Sequence, residues 1–315
     1  MIIGIDLGGM SAKAALLAQG QLKGKSRVAT SASASAEQTA LSLAELALQV
    51  AEKANKSMDD VQAIGIGAPG VVNSAGGEVV SWTNFGWKNV PLAALVRKYT
   101  GKNVFVLNDA NAAALGEARY GAGKRFSDSI LLTLGTGIGS GVILNGKLFE
   151  GFRSAGTEMG HVVIRQDGER CTCGRRGCFE RYASASALIR MTRDKMVSDP
   201  ASAIWRYAAS PDDADGRTVF LALKEGDAAA REVLESYIAA LGEGIANIVN
   251  TFRPQAVILG GGISAEGETL LAPLRKYVYP RLYVSAEYAP LEICCAALGN
   301  DAGLYGAAEY AFSRL

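Results

Sequence analysis

Apolar and polar positions along this chain follow two periods, near two residues in some stretches and near 3.6 in others. Ile2 to Leu7 is a nearly continuous apolar run that closes on Gly8-Gly9, the form of a buried strand ending in a turn. Two further strand-like runs, Ala14–Ala18 and Leu22–Ala29, flank a Gln19-Gly20 turn. Ser35-x-x-Gln38 has the form of a capping box. Behind it Leu41, Ala44, Leu48 and Ala51 recur at helical spacing and predict an amphipathic helix. Val61–Gly67 reads as a buried strand, Pro91–Tyr99 as a short helix, Val104–Leu107 as a strand and Asp109–Tyr120 as a helix.

The pattern then restarts. Ser129–Leu134, Gly139–Leu144 and a short piece near Lys147 are strand-like and joined by glycine turns. Ala183 to Thr251 is helical with a polar break at Ser210–Arg217. Ala256–Leu259 reads as a strand ending in Gly260-Gly261-Gly262, a helix follows from about Glu266, and a last helix follows Gly299-Asn300-Asp301-Ala302-Gly303. Two successive units thus open on a glycine-turned meander and continue into alternating helices and strands. That pattern predicts a duplicated α/β fold with a cleft between its halves. The boundaries drawn on it are 1–117, joined by a C-terminal helix at 301–315, for a small α/β domain, and 118–300 for a large one.

Composition narrows the function classes. The 315 residues are 49% hydrophobic and 20% charged, as in a soluble globular protein with a substantial core. A net charge of +1 gives no support for a nucleic-acid or membrane surface. No apolar run is long enough to span a bilayer, and Met1-Ile2-Ile3-Gly4 lacks the basic start of a signal peptide. Five cysteines, an odd number, argue against a paired disulfide framework and for a reducing cytoplasm. Cys294 and Cys295 lie in the apolar run Leu291 to Leu298 and read as core residues, because adjacent cysteines bridge poorly.

The other three cysteines and the only histidine fall together, in Glu158-Met159-Gly160-His161 and Cys171-Thr172-Cys173-Gly174-Arg175-Arg176-Gly177-Cys178-Phe179-Glu180. A Cys₃His set closes a tetrahedral zinc site, so His161, Cys171, Cys173 and Cys178 are the candidate ligands. Gly174 and Gly177 let the chain fold back between the sulfurs. Glu158 and Glu180 flank the cluster. Bound through one ring nitrogen, His161 keeps the other as a fixed N–H donor, and two carboxylates beside it can hold sugar hydroxyls.

Phosphates need clustered backbone N–H groups. Two turns at corresponding places offer them, Asp6-Leu7-Gly8-Gly9 and Gly135-Thr136-Gly137-Ile138-Gly139. Asp6, at the end of an apolar strand, suits Mg²⁺ held through water, or it caps its own turn. Two lookalikes fail. Gly65-Ile66-Gly67-Ala68-Pro69-Gly70 has dinucleotide-binding spacing, but Pro69-Gly70-Val71-Val72 does not open a helix. Gly123-Lys124 has Ala118 and Arg125 where a Walker loop needs glycine and a hydroxyl. In Leu107-Asn108-Asp109-Ala110-Asn111-Ala112 a strand passes into a helix, and by its residues alone Asp109 reads as the helix cap.

Glu-x-Gly-His followed by Cys-x-Cys-Gly-x-x-Gly-Cys-x-Glu resembles the signature of the ROK family, the bacterial sugar kinases and their repressor relatives. The resemblance covers nearly the whole chain. It implies an actin-like, ribonuclease-H-like duplicated fold and ATP-dependent phosphorylation of a hexose hydroxyl, glucose to glucose 6-phosphate first, feeding glycolysis. It makes Asp109 the catalytic base and Asn84, Asn108, Asp109, Glu158, His161 and Glu180 the sugar-binding set. On the nucleotide side it implies Asp6, Gly8, Gly9, Lys13, Gly135, Thr136, Gly137 and, toward adenosine, Gly260, Gly261 and Gly262. ATP, Mg²⁺ and a structural Zn²⁺ are the implied cofactors, and a homodimer or homotetramer the implied assembly. The family's usual threonine after the glycines is Met10 here. Fructose, mannose, allose and N-acetylmannosamine stand as alternative substrates. A non-catalytic sugar sensor is a further alternative. The repressors carry a helix-turn-helix ahead of the first phosphate turn, and with Asp6 already the sixth residue none is expected here.

Overall fold

The computed structural model describes residues 1–315. The chain opens with β1 (Ile2–Leu7), β2 (Ser11–Ala18) and β3 (Gln21–Ala29), then α1 (Ala36–Lys53) and β4 (Ala63–Ala68). A small meander follows, β5 (Val71–Asn73), β6 (Glu78–Trp82) and β7 (Trp87–Val90), then α2 (Leu92–Thr100), β8 (Asn103–Asn108) and α3 (Asp109–Tyr120). The second round is β9 (Ser129–Leu134), β10 (Ile138–Leu144), β11 (Lys147–Phe149), a short α4 (Glu180–Ala183) and α5 (Ala185–Ser198). It continues with α6 (Thr218–Lys224), α7 (Ala228–Phe252), β12 (Ala256–Gly260), α8 (Glu268–Val278), β13 (Glu292–Cys295) and α9 (Ala302–Phe312).

The two five-stranded sheets share one plan. The first is ordered β3-β2-β1-β4-β8 and the second β11-β10-β9-β12-β13, so each adds two strands beside the first strand of a meander. In the first sheet β1 is antiparallel to β2 and parallel to β4, and β4 is parallel to β8. The duplication read from the sequence is present in the topology. The chain packs as two compact units, one of Met1–Leu131, Gly141–Thr157 and Ala297–Leu315, the other of Leu132–Ser140 and Glu158–Ala296. The sequence boundaries after residues 117 and 300 both fall within the first of these. A linear reading misses the interleaving because β9 and β10 each run from one unit into the other.

In the first unit, Ile3, Ile5 and Leu7 on one face of β1 pack with Ala40, Leu43, Ala47 and Val50 of α1. The stripe that marked α1 in the sequence is only partly the buried one, since Leu41 is 42% and Leu48 45% exposed. This helix is rich in Ala and Leu on more than one side, so period alone does not choose its inner face. The capping box at Ser35 and Gln38 is formed as read. On the other face of the sheet, Ile2, Leu17 and Ala63 pack with Ala308 and Ala311 of α9. Here α9 comes very close. A Cβ on Gly65 would run into the carbonyl of Ala307, and one on Gly306 into the carbonyl of Ala112 in α3.

Candidate active site

In the first unit the site is built at the carboxyl ends of parallel strands, where α/β sheets commonly place ligands. Register puts Asp6 beside Gly67, Gly67 beside Leu107, and Ala68 beside Asn108, so β1, β4 and β8 end along one edge. The turn after β1 is internally braced. Gly8 N donates to Ser11 O at 3.0 Å, and Thr30 Oγ1 donates to Gly8 O at 2.7 Å. Met10 is 88% exposed at its tip, where the family threonine was expected.

Asp6 is paired across the hairpin with Lys13. Burial raises its carboxyl above the usual range, and the nearby Lys13 ammonium pulls the other way. A Cβ on Gly303 of α9 would lie 3.1 Å from Asp6 Cγ, so α9 walls the carboxylate closely. An oxygen donor confined in this way suits a hard cation such as Mg²⁺ held through water.

At the end of β8 the cap belongs to Asn108. Its Oδ1 accepts from Ala110 N at 2.9 Å and Asn111 N at 3.1 Å, and its Nδ2 donates to Gly70 O at 3.1 Å. A side-chain amide has two N–H donors, so one remains for a ligand. Asp109 is the first helical residue, with Oδ1 accepting from Ala110 N at 2.8 Å. Gly70 links this corner to the next candidate. A Cβ on it would meet the backbone of Ser81 and Trp82, just before Asn84. Asn84 is exposed on a 3₁₀ turn, Thr83–Phe85, set on a rigid aromatic base. Trp82 and Phe85 stack at 3.7 Å between centroids, and Trp87 meets Trp82 edge-on at 5.3 Å.

The second unit holds the other residues. Gly135 N donates to Gly137 O at 3.0 Å, and Ala185 N donates to Gly135 O at 2.9 Å, which closes the second glycine turn and ties it to α5. Thr136 is exposed at its tip. Gly261, at φ 92°, lies against the backbone of Leu134, so the Gly260-Gly261-Gly262 turn abuts the strand end from which the second glycine turn springs.

Glu158 precedes a 3₁₀ turn, Met159–His161, whose Met159 N donates to Ser140 Oγ at 3.1 Å. The ligand atoms of His161, Cys171, Cys173 and Cys178 all lie within 4.8 Å of one another. Cys173 Sγ is 3.6 Å from Cys178 Sγ, and Cys171 Sγ is 3.7 Å from His161 Nδ1. Ligands at zinc–sulfur bond length around a tetrahedron stand about 3.8 Å apart, so the set fits zinc. Nδ1 faces the sulfurs, which leaves Nε2 as the outward N–H. Burial pushes the Cys171 thiol up to about 12 and raises Cys178, while the backbone N–H of Arg175 lowers Cys173.

Glu180 makes a link that the sequence did not reveal. Its Oε1 accepts from Cys171 Sγ at 3.1 Å and lies 3.7 Å from His161 Nδ1. Its Oε2 occupies the space a Cβ on Gly137 would need. One carboxylate therefore touches both the Cys₃His cluster and the Gly135–Gly137 turn. Ser140, Gly70 and Glu117 were also missed, because their roles are hydrogen bonds between distant segments that no local motif announces.

A family model described as the ROK family matches residues 2–313. The chain is 38% identical over 317 residues to a glucokinase of Thermotoga maritima, covering 100% of this chain and 98% of that one. A solved ROK family glucokinase from Streptomyces griseus, in complex with glucose and AMPPNP, superposes with a TM-score of 0.84 at 35% identity, covering 99% of each chain. A xylose repressor of Caldicellulosiruptor bescii is 34% identical over 255 residues, which are 81% of this chain but 63% of the repressor.

Proposed function

This chain belongs to the ROK family, and we propose that it is an ATP-dependent hexose kinase that converts glucose to glucose 6-phosphate. The observation that carries the reading is the division of labour at the head of α3. Asn108 supplies the helix cap, and Asp109, the carboxylate beside it at the start of α3, is the group we assign as the base.

A sugar hydroxyl is a poor nucleophile until its proton is taken up. Asp109 accepts that proton as the terminal phosphoryl group is transferred. Asn108 orients the hydroxyl with its remaining N–H, and Asn84 adds a contact from its aromatic base. His161 Nε2, Glu158 and Glu180 hold the other hydroxyls. The backbone N–H groups of the two glycine turns hold the phosphates, with Lys13 beside the first and Gly260–Gly262 on the adenosine side. Asp6 would hold the magnesium of MgATP, which supplies charge neutralisation along the phosphates. His161 and the three cysteines would hold zinc, which shapes the sugar pocket and takes no part in the transfer.

An assay coupled to ADP release tests the reading with glucose, mannose, fructose, allose and N-acetylmannosamine. Glucose is expected to give the highest kcat/KM. A higher value for another hexose reassigns the substrate, and no ADP with any of them removes the enzyme. The exposed Met10 and the likeness to a repressor favour, as second reading, a sugar sensor without catalysis. It would bind glucose and release no ADP. We place the protein in the cytoplasm, where its five cysteines, none in a disulfide, stay reduced, as a homodimer or homotetramer that light scattering would size. Its partners are the hexose and ATP, with no part for nucleic acid or membrane. No helix is long and apolar enough to cross a membrane.

A further inference from the structure

Glu117 lies near the end of α3 and is fully buried. A carboxylate removed from water needs its oxygens satisfied. Three backbone amides do this. Ala122 N donates to Oε2 at 2.8 Å, Ala297 N to Oε2 at 3.0 Å and Leu298 N to Oε1 at 2.7 Å. Ala122 is a local partner. Ala297 and Leu298 are not, for they lie 180 and 181 residues along the chain. They are also the first two residues of the segment with which the chain returns to the first unit.

Ala297 and Leu298 belong to no helix or strand, so their place depends on such bonds. After a single 3₁₀ turn, Gly299–Asp301, α9 begins, and Gly303 on its first turn walls the Asp6 carboxylate. The neighbour of Glu117 acts on the same place. A Cβ on Gly116 would meet the carbonyl of Ala302, the first residue of α9. Two adjacent residues of α3 thus set the start of α9, one by close approach and one by hydrogen bonds.

We propose that Glu117 is a positioning residue for the nucleotide side of the site. It fixes Ala297 and Leu298, and through the first turn of α9 it fixes the setting of Asp6. It touches no substrate. The inference rests on the hexose-kinase reading above. Failure of that reading is recognised separately, because the unaltered protein would then release no ADP with any hexose.

The test compares Glu117→Gln, which keeps the shape and loses the charge, with Glu117→Asp, which keeps the charge on a shorter arm. Calorimetry measures MgAMPPNP and glucose binding, and hydrogen exchange follows the amides of Ala297 and Leu298. Glu117→Gln is expected to bind MgAMPPNP about tenfold more weakly, the scale on which residues behind a metal ligand act. Its glucose affinity should stay within about twofold, a change that residues acting only through Asp6 leave small. Exchange at both amides should quicken, and Glu117→Asp should recover part of each loss. An equal weakening of both ligands would mark Glu117 as merely structural and overturn the proposal. So would unchanged nucleotide binding in a folded variant. Should neither variant fold, the unaltered protein decides: MgAMPPNP must slow exchange at Ala297 and Leu298, and no slowing sinks the idea.

Discussion

Asn108 and Asp109 stand side by side, and the proposed role of Asp109 can be tested by a change of one atom type. Asp109→Asn keeps size and hydrogen bonding but cannot take a proton. It is expected to bind glucose normally and to lower kcat by roughly 10²–10⁴-fold. Steady-state kinetics on the folded variant check this, and an unchanged kcat would take Asp109 out of the mechanism. Asp6 has a different signature. Its carboxyl is raised by burial against the pull of Lys13. A carboxyl with a higher pKa folded than unfolded stabilises the fold below the unfolded value, about 3.9. That stabilisation is lost as pH rises through the raised folded value. At neutral pH the metal-free protein thus carries a poorly solvated charge that Asp6→Asn removes. The variant should melt above the unaltered protein at pH 7, by a margin that shrinks toward pH 4, and should fail to turn over MgATP. Melting curves across that range decide it, and a lower melting point at pH 7 would refute it. By its residues alone Asp109 reads as the helix cap. The structure gives the cap to Asn108, whose amide also donates to Gly70 O, 38 residues earlier in the chain, a link no local motif announces.

Among the elements, three with an apolar run or a capping signal were legible to the residue, while β4, β10 and β12 came within one or two residues of their bounds. β1, α3 and β9 have the bounds the pattern predicts. The small sheet of β5, β6 and β7 was not legible, because its strands of three, five and four residues are too short for a period to emerge. The inner face of α1 was misread for lack of contrast between its sides. The Cys₃His cluster was legible because ligand spacing is local, whereas the contact of Glu180 with Gly137 exists only once the fold brings α4 to the second glycine turn. The same holds for the crossing of α3 and α9, whose closeness no period encodes. Gly306→Ala tests that crossing, since its Cβ would run into the carbonyl of Ala112. The helices must separate, at a cost of about 1–3 kcal/mol of stability. Urea unfolding measures it, and an unchanged midpoint would show that the helices yield without cost.

For the whole molecule, the distribution of regular structure decides what metal loss should do. The first unit has a dense core of its own between β1, β4 and α1. Between Glu158 and Phe179 the second unit has only one 3₁₀ turn and the isolated bridges Val163–Cys178 and Arg170–Arg176. That segment buries little besides Met159, Cys171, Cys178 and Phe179, so four metal bonds would carry much of its order. It also carries Glu158 and His161, and it leads into Glu180. Removing zinc, by a chelator or by Cys173→Ser, should therefore loosen this segment and weaken glucose binding together, while hydrogen exchange in β1 and α1 stays slow. Four exposed arginines, Arg165, Arg170, Arg175 and Arg176, make trypsin a direct probe of the loosening. Cleavage there should quicken on chelation and slow again when zinc is restored. Glucose affinity that survives metal loss, with trypsin cutting freely, would make the cluster a clip remote from the sugar and would detach His161 from substrate binding.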